Sequence, residues 1–195
     1  MDPTLQYLLD GCKDNNRAAQ KALYYRYFNP FMQIAVRYVH SQADAEEVLN
    51  NAFLRIFRHV GKYEGKGSFE GWMKRIIVNC CLTYISRLQF QSRTRIIPLK
   101  DYSNGHEGGS EEYAASDCLL EKKFHHEYLM QLLRQLPDTT RLVFNLYVFE
   151  EYNHQEIGQL LNMAERTSQS HLARARKILS ERLDRNQLLQ KNQRV

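Results

Sequence analysis

Tyr152-Asn-His-Gln-Glu-Ile-Gly-Gln-Leu-Leu-Asn-Met-Ala-Glu-Arg-Thr-Ser-Gln-Ser-His-Leu-Ala-Arg-Ala-Arg-Lys177 is the stretch on which the fold turns. A short helix carries Ile157, Gly158, Leu160 and Leu161, and Gly158 is small where a second helix must pass close. Asn162-Met163 makes a turn, with Met163 filling the corner. Ala164 or Glu165 opens a second helix, and Thr167, Ser170, Leu172 and Ala175 fit its inner side. This is helix-turn-helix spacing, in which the second helix lies in the DNA major groove. The outward side then holds Arg166, Gln169, His171, Arg174 and Lys177. Arg and Gln side chains read guanine and adenine edges, whereas Lys mainly holds phosphate. Ser170 and Arg176 complete the candidate DNA-contact set on this helix. From Arg166 onward there are eight Lys and Arg against two Asp and Glu. The competing reading is an ordinary antiparallel helix pair with a solvated basic face.

Outward from this motif, both directions scan as helix. Before it come segments at about 117–135, ended by Leu136-Pro137, and about 139–149, opened by Asp138. The motif's own helices run at about 155–161, after Asn153-His154, and about 165–189. Further upstream, Asp101-Tyr-Ser-Asn-Gly-His-Glu-Gly-Gly-Ser-Glu-Glu112 is acidic and rich in Gly and Ser, with no hydrophobic period. It reads as a flexible linker. Asn29-Pro30 is expected to restart a helix, with Pro in the first turn where its missing N–H costs nothing. The clearest helix spans about 42–60. Ala45, Val48, Leu49, Ala52, Phe53, Ile56, Phe57 and Val60 make one stripe in steps of three and four. Glu46, Glu47, Asn50, Asn51, Arg55 and Arg58 occupy the opposite face, and Leu54 lies off the stripe on the wet side. A loop with three glycines follows (Gly61, Gly65, Gly67). Ser68 then caps a helix at about 69–90, buried through Phe69, Trp72, Met73, Ile76, Ile77 and Cys80. No alternating strand pattern occurs. The expected fold is all-α: two small helical domains, residues 1–95 and 121–195, joined by a flexible acidic linker at 96–120, the second being the helix-turn-helix domain.

Composition bounds the function. The 195 residues suffice for one domain or two small ones, and 43% apolar with 25% charged residues is the balance of a folded chain. The longest uncharged apolar runs, near Ile76–Cys81 and Leu142–Phe149, fall far short of the roughly 18–20 residues that cross a bilayer. Residues 1–20 carry charge throughout, against a secretory leader. Four cysteines without a Cys-x-x-Cys pair point to a reducing, cytoplasmic compartment. Residues 1–95 hold 14 Lys and Arg against 8 Asp and Glu; residues 96–120 hold 1 against 5; residues 121–195 hold 12 against 9. Two basic blocks thus flank an acidic connector, which suits a polyanionic partner. No phosphate-binding Gly-x-x-x-x-Gly-Lys and no His-Glu-x-x-His occurs. His125 and His126 are neighbours that leave a helix on different faces, and Cys80-Cys81 read as small buried hydrophobes. No catalytic residue, metal ligand or cofactor site is assigned.

A second constellation lies in the first domain. Lys62, Tyr63, Lys66, Phe69, Trp72, Lys74, Arg75 and Asn79 combine cations and aromatics on the glycine loop and the helix after it. Such a mixture suits unpaired bases, through stacking and phosphate neutralisation. Phe69 and Trp72 are also natural core residues, and a solvated face competes for the others.

At these residues the chain resembles the small sigma factors of bacterial RNA polymerase, the extracytoplasmic-function type, over nearly its whole length. Ala45-Glu-Glu-Val-Leu-Asn-Asn-Ala-Phe-Leu-Arg-Ile-Phe-Arg58 is similar to the family's polymerase-clamp-binding helix, with Glu47, Asn50, Asn51 and Leu54 as contact candidates. Phe69-Glu-Gly-Trp-Met-Lys-Arg-Ile-Ile-Val-Asn79 resembles its element for melting and reading the downstream (−10) promoter region. The helix-turn-helix resembles its reader of the upstream (−35) element. Three departures stand out: Asn50-Asn51 where the family usually has Gln-Glu, Thr83 where Asp is common, and Gln169 and His171 where a basic residue is usual. The resemblance implies a non-enzymatic protein that binds RNA polymerase core, docks both domains on promoter DNA and helps open the duplex. It also implies a linker that threads toward the polymerase active-site channel. Members are commonly held inactive by an anti-sigma factor, often membrane-bound; no direct membrane insertion of this chain is expected. A stand-alone helix-turn-helix regulator would leave the first domain's block unexplained, and a helical adaptor would leave the basic last helix unexplained.

Overall fold

The computed structural model describes residues 3–91 and 128–192, with side chains over 4–88 and 128–183. All regular structure among the described residues is helical, and the chain forms two compact units, one within Met1–Gly108 and one within Gly109–Val195. The segment read as a linker, 96–120, lies outside the described residues.

The first unit contains α1 (Pro3–Lys13), α2 (Arg17–Tyr38), α3 (Gln42–His59), a short 3-10 turn (Val60–Lys62) and α4 (Phe69–Gln91). Asn16 caps α2, its Oδ1 accepting the N–H groups of Ala18 at 2.9 Å and Ala19 at 3.2 Å. α2 packs on α1, α3 and α4, and α3 packs on α4. Leu23, Phe31, Tyr38, Leu49, Phe53, Ile56, Met73 and Ile77 close the core. The expected helix restart at Pro30 does not occur: Pro30 lies inside the continuous α2. Tyr27, Phe31, Ile34 and Ala35 are buried on both sides of it, while Pro30 itself is exposed. The packing holds the helix through, and a carbonyl on the wet side can turn to water.

The stripe of α3 is buried as read, with Phe57 half-buried at its edge. α4 departs from a single stripe. Trp72 and Ile76 are only half-buried, whereas Val78, Cys81, Leu82 and Ile85 join the core, because α2 and α3 both lie against this helix. Ser68 caps it, its Oγ accepting the Gly71 N–H at 3.0 Å. The Tyr84 hydroxyl donates to Asp44 Oδ1 at 2.7 Å and ties α4 to the start of α3.

The second unit contains a helix described over 128–134 (α5), then α6 (Asp138–Val148), α7 (His154–Leu161) and α8 (Glu165–Asn192). Leu132, Leu133 and Leu136 pack with Ala175 and Leu179 of α8. Asp138 does not cap α6 from outside, as expected; it is the first helical residue, and Pro137 holds the cap position. Its carboxylate instead accepts from the guanidinium of Arg141 at 3.1 Å, a side chain only 2% exposed that needs a counter-charge.

Candidate nucleic-acid and polymerase interfaces

Asn153 builds the start of α7 by a reciprocal cap. Its Oδ1 accepts the Glu156 N–H at 2.9 Å, and its own N–H donates to Glu156 Oε2 at 2.8 Å. At the other end Asn162 takes the left-handed conformation at φ 51°, and Gly158 O accepts the N–H groups of Asn162 and Met163. A Cβ on Gly158 would stand 2.7 Å from the Met163 carbonyl oxygen, so the close approach read from the sequence is to the turn backbone.

The inner side of α8 is set differently from the expectation. Ser168, Leu172, Ala175 and Leu179 are buried, whereas Thr167 and Ser170 are exposed. Ser168 is fully buried because it has a polar partner: its Oγ lies 2.9 Å from His154 Nδ1. Arg166, Gln169, Ser170, Arg174 and Lys177 stand exposed along the outer side. Ser170 Oγ donates to the Arg166 carbonyl at 2.9 Å, and Gln169 Nε2 donates to Glu165 Oε1 at 3.3 Å. Arg176 is exposed too but leans over the Tyr147 ring at 5.9 Å, and that ring stacks on His154 at 4.6 Å. His171 is half-buried, with Nδ1 3.1 Å from Thr140 Oγ1 of α6. Burial, and then the neighbouring Arg174, hold its pKa below the ordinary imidazole value.

In the first unit, Glu47, Asn50 and Asn51 are exposed on the outer side of α3, and Leu54 is 61% exposed among them. Asn50 is not isolated. The Tyr24 hydroxyl donates to its Oδ1 at 3.0 Å, and the Tyr24 ring rests against Phe53 and Phe28. Tyr25, beside it, is 67% exposed. Sequence reasoning missed this aromatic flank of α2, although Tyr24-Tyr-Arg-Tyr-Phe28 advertises it.

The glycine loop is built around Tyr63. Its hydroxyl donates to the Gly67 carbonyl at 2.7 Å, and its ring meets Phe69 edge-on at 5.1 Å and Trp72 at 5.7 Å. Phe69 is buried and stacks on the half-buried Trp72 at 5.4 Å. Gly65 and Gly67 have φ of 76° and 73°, which favour glycine. Lys62 and Lys66 are exposed, Lys66 pairing with Glu64 at 2.8 Å. Lys74, Arg75 and Asn79 are half-buried on α4. Helical spacing brings Trp72, Arg75 and Asn79 to one side and carries Lys74 to the far side. Thr83 Oγ1 donates to the Asn79 carbonyl at 2.8 Å, which leaves the Asn79 side chain outside that bond.

Comparison with known proteins meets this geometry at both units. The model of "Sigma-70 region 2" matches residues 23–91, and that of "Sigma-70, region 4" matches residues 126–179; together they cover more than half of the chain. The chain belongs to the sigma-70 family. Its curated relatives place it in the extracytoplasmic-function branch. The RNA polymerase sigma-H factor of Pseudomonas aeruginosa is 24% identical over 188 residues, 91% of this chain and 93% of that protein. The ECF RNA polymerase sigma-E factor of Escherichia coli K12 is 23% identical over 183 residues, 92% of this chain and 94% of that protein. A solved structure, CnrH in complex with the cytosolic domain of CnrY, aligns at TM-score 0.48 and 17% identity, covering 91% of this chain and 96% of that one. As a sigma factor the protein binds RNA polymerase core and directs promoter recognition, so core polymerase and promoter DNA are its partners. Among the described residues no helix is long and apolar enough to cross a membrane.

Proposed function

We propose that this sigma factor divides initiation among three surfaces, which it carries on two domains at 1–95 and 121–195 joined through 96–120. Glu47, Asn50, Asn51 and Leu54 on α3 hold the polymerase core. Lys62, Tyr63, Lys66, Arg75 and Asn79, on the glycine loop and one side of α4, hold the downstream element and its opened strand, with Lys74 meeting phosphate from the other side of α4. Arg166, Gln169, Ser170, His171, Arg174, Arg176 and Lys177 on α8 dock on the upstream element. Within that last set Arg166, Gln169 and Arg174 meet base edges, Arg176 and Lys177 hold phosphate, and His171 acts partly through α6.

One observation carries the reading. α8 is divided lengthwise, with Ser168, Leu172, Ala175 and Leu179 in the core and Arg166, Gln169, Ser170, Arg174 and Lys177 exposed. A helix seated by one side and cationic on the other is what major-groove docking requires. The protein works by binding and positioning and is not an enzyme; it acts in the cytoplasm, beside the polymerase. The test is reconstitution. Purified protein should co-elute with RNA polymerase core and start transcription on a supercoiled template. A protein that binds duplex DNA as a dimer and leaves core polymerase inactive would overturn the reading in favour of a stand-alone regulator.

A further inference from the structure

A loop that receives an unpaired base must hold its shape before the base arrives, and this one contains two glycines with positive φ. Both are open to solvent, with no atom within 4 Å of where a Cβ would stand. Nothing on the outer side therefore pins the glycines, and glycine backbone loses more freedom on ordering than any other. The ends are tied. The Tyr63 N–H donates to the Val60 carbonyl at 3.2 Å, closing the 3-10 turn, and the Trp72 N–H donates to the Ser68 carbonyl at 3.1 Å, opening α4. Across the middle runs the bond from the Tyr63 hydroxyl to the Gly67 carbonyl at 2.7 Å.

We propose that Tyr63 is the positioning residue of the base-holding loop: its hydroxyl closes residues 63–67 into a preformed clasp seated on Phe69 and Trp72. The inference rests on the reading that this loop holds the unpaired base. Tyr63 divides its side chain between two tasks. The ring is anchored on Phe69, which is buried, and on Trp72. The hydroxyl, at the far end, reaches the one carbonyl that fixes the second glycine. The loop backbone then meets the strand already ordered, with Lys66 held at its tip by Glu64 at 2.8 Å. A phenylalanine keeps the ring contacts and releases the Gly67 carbonyl to water. The loop becomes a set of conformers, of which only a fraction receives a base, and opening slows by that fraction.

The experiment uses holoenzyme assembled from the full chain and RNA polymerase core, on a promoter recovered from a random-sequence library by transcription with the wild-type holoenzyme. Permanganate reactivity of unpaired thymines gives the opening rate. Tyr63→Phe should slow opening about 3- to 10-fold, the range set by one ordinary hydrogen bond. Affinity for core and the Trp72 fluorescence melting midpoint should stay at the wild-type values, and on a premelted bubble template the rate of run-off transcription should return to the wild-type value. Gly67→Ala, which keeps the hydroxyl but strains φ 73°, should give the same pattern. Wild-type opening by Tyr63→Phe alongside slow opening by a chain with a shortened 61–67 loop overturns the positioning role alone. Wild-type opening by the shortened chain overturns the base-holding reading and this inference with it. A Tyr63→Phe defect that persists on the bubble also overturns the inference, since a preformed clasp matters only before the base is free.

Discussion

Gly158→Ala sets two effects of opposite sign against each other. Inside α7, an eight-residue helix, alanine is favoured over glycine by about 0.5–1 kcal/mol. Against this, the new Cβ would stand 2.7 Å from the Met163 carbonyl oxygen and 3.6 Å from the Glu165 nitrogen. Those atoms are backbone. The turn that holds them is fixed by the Asn162 and Met163 N–H groups on Gly158 O and by Asn162 at φ 51°, so they cannot swing aside as a side chain would. Forcing a methyl group into such a contact costs about 1–3 kcal/mol. The clash wins, and the net loss is about 1–2 kcal/mol, or roughly 5–10 °C in the melting point of a unit this size. Trp72 is the single tryptophan and belongs to the first unit, so its fluorescence follows that unit alone. Circular dichroism at 222 nm follows helix in both. The expected result is an earlier loss of part of the dichroism with the fluorescence midpoint unmoved. A dichroism midpoint that stays or rises refutes the argument, because the turn would then have yielded at no cost.

Leu54→Asp should weaken core binding by about 2 kcal/mol, some 30-fold, with helix content unchanged, as read by a core pull-down titration. Arg174→Ala should lower affinity for the preferred upstream sequence by about 1–3 kcal/mol and relax base preference, whereas Lys177→Ala should weaken all sequences evenly and reduce the salt slope by about one; equal effects on every sequence from both would remove Arg174 as a reader. Asn79→Ala should leave core binding and closed complexes intact but reduce permanganate reactivity at the start site, and normal reactivity would remove Asn79 from strand opening. The Tyr84 bond to Asp44 pushes the phenol up to about 12, above its usual value near 10. A raised folded pKa contributes stability that is whole below pH 10 and fades toward pH 12. Wild type should therefore melt above Tyr84→Phe at neutral pH, and the gap should close between pH 10 and 12; a constant gap would mean that the bond does not couple to folding.

The helices were legible wherever hydrophobic period alone decides them. α3 is the clearest case, since each residue of its stripe faces one neighbour or another and Leu54 could be picked out as foreign to its side. The misreadings share a cause. Pro30 looked like a start because proline favours first turns, but burial on both sides of it carries α2 through. Ser168 receives no side from the sequence because a lone hydroxyl carries no hydrophobic signal; its burial goes with His154, fourteen residues away, and no local pattern pairs them. Thr167 and Ser170 are expected inward from spacing alone and stand exposed, because the position between them, Ser168, takes the inner place. At the sites, residue type gave the chemistry but not its direction. Tyr63 could be named from composition, yet whether its hydroxyl faced a base or its own loop is a matter of three-dimensional closure. His171 likewise sits at a reading position by spacing and is held by Thr140 through contact.

The lengthwise division of α8 also bears on how such a protein can change over generations. Its anchoring residues, Ser168, Leu172, Ala175 and Leu179, are a different set from the exposed Arg166, Gln169, Ser170 and Arg174. Replacements on an exposed helical side usually change stability by no more than about 0.5 kcal/mol. With α8 as the proposed reader, descendants of this chain can therefore exchange one upstream sequence for another almost free of selection on folding, and a duplicated copy can acquire promoters of its own by a few substitutions on one side of one helix. On the proposed division of surfaces the α3 side has no such freedom, because there the partner is the polymerase core itself, whose surface does not change with the promoter.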